Sequence, residues 1–184
     1  STGEGFLLTT EERKRLVEAV TEEVGGKMNI IVHVGTAATR QSVELARHAE
    51  QAGADATSAV PCVYYRPGEE SVYRHWTAIT QAADLPFFIY NIPQLTGFNL
   101  SMGLFNRMLE NDRVAGVKCS SDPAHDIMRF KQAGGKDFIV FNEPMIFLSL
   151  GYLLGIHAPG RRGFKNFFSS SHHVLLAQAE GARI

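Results

Sequence analysis

The sequence has little net charge, little cysteine and no long apolar run. Its 18 Lys and Arg residues nearly balance 19 Asp and Glu residues, so the formal net charge is −1. A basic footprint for nucleic acid or for an acidic membrane surface is missing, and we expect neither partner. No stretch reaches the ~20 apolar residues of a membrane span, and the N-terminus lacks the charged and apolar regions of a signal peptide. The two cysteines, Cys62 and Cys119, lack metal-ligand spacing, which predicts reduced thiols in a cytoplasmic protein.

Phosphate loops and metal motifs are also missing. Neither Gly25-Gly26-Lys27 nor Gly134-Gly135-Lys136 has the earlier glycine of a Walker loop, and no GxGxxG opens a helix. The seven histidines show no HExxH or comparable spacing, so we predict no metal site and expect most of them to be surface or structural residues. We expect no organic cofactor either, because a pyridoxal phosphate enzyme needs a phosphate cradle that the sequence does not offer.

The sequence does contain a regular alternation of helical patterns and short apolar runs. We predict helices over 9–24, 39–52, 69–83, 101–111 and 124–134, and strands over 29–34, 54–60, 87–90, 114–118 and 138–141. Since none of these strands is followed directly by a hairpin turn, the sheet is expected to be parallel. Periodicity does not decide between a closed (β/α)8 barrel and an open doubly wound sheet. The missing phosphate loops favour the barrel.

Beyond residue 141 this alternation weakens. We predict helices over 145–155 and 174–178, whereas the proline, glycines and adjacent arginines of 157–163 are typical of a surface loop. The chain has 184 residues, 45% of them hydrophobic, which is enough for one domain with a sizeable core. The prediction is therefore a single α/β domain over 1–184.

Two of the apolar runs end on a reactive side chain, Tyr90 and Lys118, which lie 28 residues apart. That spacing is about one strand–helix–strand unit, so both side chains are expected at the same rim of a parallel sheet. Burial disfavours the charged ammonium of a lysine, and only the neutral amine is a nucleophile. A neighbouring phenol can carry protons to and from a bound carbonyl. The pair therefore predicts Schiff-base chemistry.

Three motifs carry a resemblance to a known family: Ser1-Thr2-Gly3-Glu4-Gly5, Tyr90-Asn91-Ile92-Pro93-Gln94-Leu95-Thr96-Gly97 and Gly116-Val117-Lys118. With them, the chain resembles the N-acetylneuraminate lyase and dihydrodipicolinate synthase family of class I aldolases. The resemblance implies a (β/α)8 TIM barrel with a C-terminal helical extension, usually a homotetramer, that needs no cofactor. It further implies that the first two strands and the extension are absent here, leaving a partial barrel with a family-like core over 1–142 and a divergent segment over 143–184.

The resemblance also gives roles to individual residues. Lys118 matches the lysine that forms an imine with pyruvate or another 2-keto acid, and Tyr90 matches the tyrosine that acts as general acid and base. Ser1 and Thr2 match the hydroxyl pair of a loop that binds the substrate carboxylate. Tyr64 matches a tyrosine that lies at a subunit contact and completes a hydroxyl relay.

Leu95 distinguishes the two branches of the family that the chain resembles. The synthases typically carry an arginine at this position to bind a second carboxylate, whereas the lyases carry an apolar residue. Asn142 stands where the lyases begin an acidic run that holds the sugar chain, but here the following residues differ. The resemblance implies a lyase that cleaves or forms a 2-keto acid, possible substrates being pyruvate and sialic acid. Two alternatives stay open: a dihydrodipicolinate synthase-like or other 2-keto acid aldolase, and an inactive truncated homologue that acts only through assembly with other chains.

Overall fold

The computed structural model describes residues 3–120, 125–135, 139–141, 163–165 and 169. The chain divides into two units, Ser1–Phe141 and Asn142–Ile184. In the second unit, Phe164 and Lys165 are helical and the Phe164 side chain is exposed. The helices predicted over 145–155 and 174–178 lie outside the described residues, and so does the loop predicted over 157–163 except for its last residue, Gly163, which is exposed. The single-domain prediction over 1–184 and the division at residue 142 stay predictions.

The first unit alternates helices with strands. A 3₁₀ helix, Gly5–Leu7, is followed by α1 (Thr10–Val24), β1 (Ile31–His33), α2 (Thr39–Gln51), β2 (Ala56–Ala59), α3 (Glu69–Thr80), β3 (Phe87–Asn91), α4 (Pro93–Thr96), α5 (Met102–Met108), β4 (Val114–Cys119), α6 (His125–Gly134) and β5 (Ile139–Phe141). Each of the five predicted strands and five predicted helices over 9–141 is present, with ends shifted by no more than three residues. The 3₁₀ helix and α4 are additional elements.

Local sequence explains where the first two helices begin and end. Helix α1 starts at a capping box, in which the Thr9 hydroxyl accepts from the Glu12 backbone N–H at 3.2 Å and the Glu12 carboxylate accepts from the Thr9 N–H at 2.8 Å. Helix α2 ends before Gly53, whose φ is +84°. Glycine adopts this left-handed conformation without strain, so the chain can turn there toward the next strand.

The order of the strands decides between the two parallel architectures. The five strands of the described sheet are all parallel and lie in the order β1-β2-β3-β4-β5. A doubly wound sheet reverses its strand order at a switch point and carries helices on both faces. Here helices that follow one another pack together, α1 on α2, α2 on α3, α3 on α5 and α5 on α6, so they line one face of the sheet. This is the winding of a (β/α) barrel.

The two faces of the sheet have different roles. Side chains that point toward the helices form the main core, in which Trp76, Phe87 and Phe105 are fully buried. A second cluster, made of Val60, Tyr90 and Ile92, lies on the opposite face. Because side chains alternate along a strand, the residues between the core positions all point to this second face. We call it the inner face of the sheet.

Candidate active site

Strand register brings Tyr90 and Lys118 to the same level of the inner face. Phe87 pairs with Val114, but Phe88 pairs with Gly116, so β4 contains one extra residue at Ala115. Beyond this bulge Tyr90 lies opposite Lys118. If Ala115 were instead paired with Phe88 in a regular ladder, Tyr90 would lie opposite position 117 and Lys118 would point to the other face, because a one-residue shift reverses every side chain of a strand.

Close packing at Gly116 accompanies the bulge. A Cβ atom at this position would lie 2.4 Å from Cε1 of Phe88 and 2.5 Å from the carbonyl oxygen of Ile139. Phe88 is 5% exposed, so its ring has little room to move away. The Phe88 ring can therefore pack directly on the backbone of β4 at Gly116, two residues before Lys118. This contact explains why the motif contains a glycine at this position.

The amine and the phenol ring are in contact. The Lys118 Nζ atom lies 4.5 Å from the centroid of the Tyr90 ring, over its face. Tyr90 is 4% exposed, and Lys118 is half-buried. Both residues lie one position before the end of their strands. They therefore sit at the carboxyl ends of parallel strands, where barrel enzymes carry their active sites.

His33, the last residue of β1, extends this arrangement across the inner face. Its ring lies edge-on to Tyr90, with a centroid distance of 5.9 Å and an interplanar angle of 90°. On its other side it meets Phe6 of the 3₁₀ helix, also at 5.9 Å. Burial, together with the positive charges of Arg13 and Lys118, lowers the pKa of His33 from 6.5 to about 3. The imidazole is therefore neutral at ordinary pH.

Arg13 of α1 fixes the backbone at the end of β1. Its guanidinium donates to the carbonyl oxygens of His33 at 2.6 Å and of Gly35 at 3.1 Å. Arg13 is 8% exposed, and burial lowers its pKa. Hydrogen bonds of a charged donor offset part of the cost of burying the charge. The arrangement holds His33 in place from the helix side of the sheet.

These side chains line a cavity of about 420 Å³. Its lining comes from both sides of β1, the edge strand of the described sheet. His33, Ser58, Tyr90 and Lys118 lie on the inner face, whereas Arg13 and apolar side chains of α1 lie on the helix side. Gly3 and Gly5, from the loop that the sequence analysis assigned to carboxylate binding, also line it. Such a volume accommodates a small organic substrate.

The structure brings together only some of the residues predicted for the site. Tyr90 and Lys118 are neighbours, as the spacing predicts. Tyr64 is 89% exposed and Leu95 62% exposed, and neither belongs to the lining of this cavity. Ser1, Thr2 and Asn142 lie outside the described residues. Their predicted roles are taken up below as proposals.

His33 is a site residue to which the sequence analysis assigned no individual role. Its ring lines the cavity next to Tyr90. One signal was available, since His33 ends a strand of the same parallel sheet.

In the part of the chain that the structure describes, no group of three His, Cys, Asp or Glu side chains is placed to hold a metal ion. No described helix is long and apolar enough to cross a membrane.

Known proteins share these sequence features. The Dihydrodipicolinate synthetase family matches residues 1–157. An N-acetylneuraminate lyase from Mediterraneibacter gnavus is 46% identical over 145 residues, which cover 78% of this chain and 46% of that protein. A 4-hydroxy-tetrahydrodipicolinate synthase from Bradyrhizobium diazoefficiens is 36% identical over 138 residues, which cover 75% of this chain and 47% of that protein.

Solved structures show the same relationship. The wild-type sialic acid aldolase from Ruminococcus gnavus matches with a TM-score of 0.76 and 44% identity, over 81% of this chain and 50% of that chain. A dihydrodipicolinate synthase from Aquifex aeolicus matches with a TM-score of 0.75 and 27% identity, over 90% of this chain and 56% of that chain.

A sequentially wound parallel sheet with a lysine–tyrosine pair at its carboxyl ends defines a barrel-type α/β protein with a candidate Schiff-base site. The chain belongs to the Dihydrodipicolinate synthetase family. The resemblance that the three motifs carried is thereby confirmed, and so is the (β/α) barrel fold class. The chain spans about half the length of the curated relatives that it matches.

Proposed function

We propose that this protein is a class I aldolase, a carbon–carbon lyase whose Lys118 forms an imine with a 2-keto acid. One observation carries the proposal: the Lys118 Nζ atom lies 4.5 Å from the centroid of the Tyr90 ring, and both side chains line the same cavity. A nucleophilic amine next to a proton-carrying phenol is what imine formation requires. The relatives named above as lyase and aldolase support the same chemistry.

In this mechanism the neutral amine of Lys118 attacks the C2 ketone of the substrate. Tyr90 relays protons while the resulting carbinolamine loses water and becomes an iminium ion. The C3–C4 bond then breaks as the C4 hydroxyl loses its proton, and the bonding electrons pass into the iminium to give an enamine and an aldehyde. Protonation of the enamine and hydrolysis of the imine release pyruvate and restore the lysine. No metal or organic cofactor takes part in these steps.

The lyase branch is the better supported of the two branches. Leu95 cannot bind the second carboxylate for which the synthases typically carry an arginine, and its exposed side chain lies on α4, directly after β3. The relative with 46% identity carries the name N-acetylneuraminate lyase. We therefore propose sialic acid and pyruvate as substrate and product, with another 2-keto acid aldolase as the alternative.

Four further residues enter the proposal through the family. We assign carboxylate binding to the hydroxyls of Ser1 and Thr2, because hydroxyls can accept and donate hydrogen bonds to a carboxylate without burying a second charge. Asn142 is proposed to contact the remainder of the substrate. Tyr64 is proposed to complete a hydroxyl relay in a neighbouring subunit, since its side chain is 89% exposed.

A homo-oligomer in the cytoplasm fits these assignments. Tyr64 has φ of +75°, which is unusual for a residue other than glycine, and it stacks edge-on with the exposed Tyr65 at 5.1 Å. A strained backbone that presents two aromatic rings is typical of a functional surface. Cys62 and Cys119 are not joined in a disulfide, which is usual for proteins of a reducing compartment. We propose the homotetramer that is usual in the family.

Trapping with borohydride tests the catalytic proposal. We expect purified protein incubated with pyruvate and borohydride to gain one reduced pyruvate adduct by intact mass, and peptide mapping to place it on Lys118. Lys118→Arg should abolish the adduct, because a guanidinium does not form the imine. Lys27→Arg is the matched control: Lys27 is exposed and donates to the Glu23 carbonyl at 2.7 Å, so the adduct should persist.

Three outcomes separate the candidate functions. An adduct on Lys118 followed by turnover of sialic acid, or of pyruvate with N-acetylmannosamine, supports the lyase. An adduct without that turnover supports another 2-keto acid aldolase. No adduct from protein with native far-UV circular dichroism overturns the catalytic proposal and leaves the non-catalytic alternative.

A further inference from the structure

Four side chains form a continuous row across the inner face of the sheet. Phe6 meets the His33 ring at 5.9 Å, His33 meets the Tyr90 ring at 5.9 Å, and the Lys118 Nζ atom lies 4.5 Å from the Tyr90 centroid. Both ring pairs are edge-to-face, an arrangement that aromatic rings favour within 4.5–7 Å. The row joins the segment that follows the glycine-rich loop to the amine of Lys118.

The His33 ring occupies the centre of this row and is held from two sides. Its Nε2 atom accepts a hydrogen bond from the Val60 backbone N–H at 3.3 Å, which leaves the proton of the neutral ring on Nδ1. Arg13 holds the backbone carbonyl of His33 at 2.6 Å. The ring therefore has a defined position and a defined tautomer.

Gly35 provides the space for this ring. A Cβ atom on Gly35 would lie 2.9 Å from the Nε2 atom and 3.0 Å from the Cε1 atom of His33. It would also lie 3.0 Å from the Val60 backbone nitrogen, which donates to the same ring. Any larger residue at position 35 would displace the imidazole from Val60. The space that the His33 ring needs thus explains why position 35 is a glycine.

A role in proton transfer does not suit His33. General acid–base catalysis is most efficient when the pKa of the group lies near the working pH. The pKa of His33 is lowered to about 3, first by burial and then by the charge of Arg13. What the ring supplies at neutral pH is a neutral, fixed surface beside Tyr90.

We infer that His33 is a positioning residue, whose ring holds Tyr90 beside Lys118 and connects it to Phe6 after the glycine-rich loop. The inference rests on the proposed function, since it concerns the same pair of residues. Displacement of a catalytic group by about 1 Å can reduce a rate on the order of 10²-fold. Loss of the ring is therefore expected to slow imine formation although His33 does not touch the reacting atoms.

Variants at position 33 separate the ring from its hydrogen bond. His33→Gln can still accept from the Val60 N–H, because its side-chain oxygen reaches about as far as Nε2 of the imidazole, but it has no ring; His33→Phe keeps a ring and loses the acceptor. We expect the rate of pyruvate trapping on Lys118 to fall on the order of 10²-fold in His33→Gln and His33→Ala, and to be largely retained in His33→Phe. A merely structural role, acting through the hydrogen bond to Val60, predicts the opposite order for Gln and Phe.

Gly35→Ala gives a second test that keeps the imidazole and displaces it. It should slow trapping like His33→Ala, and it remains informative if His33→Phe does not fold. His75→Asn is the matched control, because His75 is a buried histidine of α3 that bonds to Thr39 and does not line the cavity. Its folded fraction should trap pyruvate at the wild-type rate.

The outcomes distinguish this inference from the proposed function. Wild-type protein that traps no pyruvate overturns the proposed function. Wild-type protein that traps pyruvate, together with folded His33→Gln and Gly35→Ala variants that trap it equally fast, overturns the positioning role alone. Retention in His33→Phe with loss in His33→Gln supports it.

Discussion

At the scale of single residues, the Tyr90 side chain contributes to the site in two ways, through its ring and through its hydroxyl. Its ring contacts His33 and lies under the Lys118 amine, whereas its hydroxyl is the group proposed to carry protons. The substitution Tyr90→Phe keeps the ring and removes only the hydroxyl. It therefore tests proton relay without disturbing the row of side chains.

We expect Tyr90→Phe to slow imine formation by ~10²–10⁴-fold, the usual contribution of a positioned acid–base group. The ring keeps its packing, so we expect the variant to fold, which far-UV circular dichroism checks. The measurement is the rate of pyruvate trapping by quenched-flow mass spectrometry. Tyr73→Phe serves as the control, since Tyr73 packs under Arg107 outside the site. Equal rates for Tyr90→Phe and wild type would remove Tyr90 from the mechanism.

The sequence identified Lys118 and Tyr90 because their chemistry is local. Each is a reactive side chain at the end of an apolar run, and their spacing fits one strand–helix–strand unit. His33 was missed because its placement depends on groups distant in the chain, the Val60 N–H and the Arg13 guanidinium. A histidine at a strand end has no periodic pattern that distinguishes a site residue from a structural one.

At the scale of secondary-structure elements, the bulge in β4 sets the relation between the two reactive side chains. Val114 and Val117 both belong to the core under the helices although they are three residues apart. Strict alternation would place them on opposite faces of the sheet. The three-residue spacing is visible in the sequence. It identifies a bulge only when the pairing with β3 is known, in which Phe87 lies opposite Val114, Phe88 lies opposite Gly116, and Ala115 has no partner residue on β3.

Gly116→Ala tests whether this strand geometry is needed. The new methyl group would meet the Phe88 ring and the Ile139 carbonyl, and such overpacking typically costs ~1–3 kcal/mol. We expect a lower midpoint in urea unfolding and slower pyruvate trapping by the folded fraction, because Lys118 lies two residues further along the strand. Circular dichroism and borohydride trapping provide the two measurements.

Gly103→Ala is the matched control at this scale. Gly103 lies inside α5. A Cβ atom at this position would contact only the Ser101 hydroxyl oxygen, at an ordinary 3.7 Å. Replacing glycine by alanine within a helix stabilises by ~0.5–1 kcal/mol. An equal effect of the two substitutions on trapping would contradict the role of Gly116.

At the scale of the whole molecule, strand order settles what periodicity left open. A helix–strand alternation is common to barrels and to doubly wound sheets, and short apolar strands are expected in either architecture. The two differ in which strands are neighbours, which depends on contacts between segments far apart in sequence. The register of β1 with β2, from Ile31 to His33, is one such contact. It also places His33 on the inner face, where no local pattern could assign it.

Two histidines in the folded structure couple the stability of the whole molecule to pH. Burial lowers the pKa of His75 from 6.5 to about 4, and burial with the charge of Arg13 lowers that of His33 to about 3. Between these values and 6.5 the unfolded chain binds more protons than the folded chain. The contribution of the two neutral histidines to the free energy of unfolding is therefore fully present above pH 6.5. It is lost as the pH falls from 6.5 toward the folded-state pKa values.

We expect the free energy of unfolding to fall by up to ~1.4 kcal/mol per pH unit for each of the two histidines as the pH drops below 6.5. For His75 the total loss by about pH 4 is on the order of 3 kcal/mol. Urea titrations across this range measure it. The substitution His75→Asn keeps a polar partner for the Thr39 hydroxyl, which lies 2.9 Å from the His75 Nδ1 atom, and removes the titrating group, so its stability should depend less steeply on pH. Identical pH slopes for His75→Asn and wild type would show that His75 does not stay neutral in the folded protein.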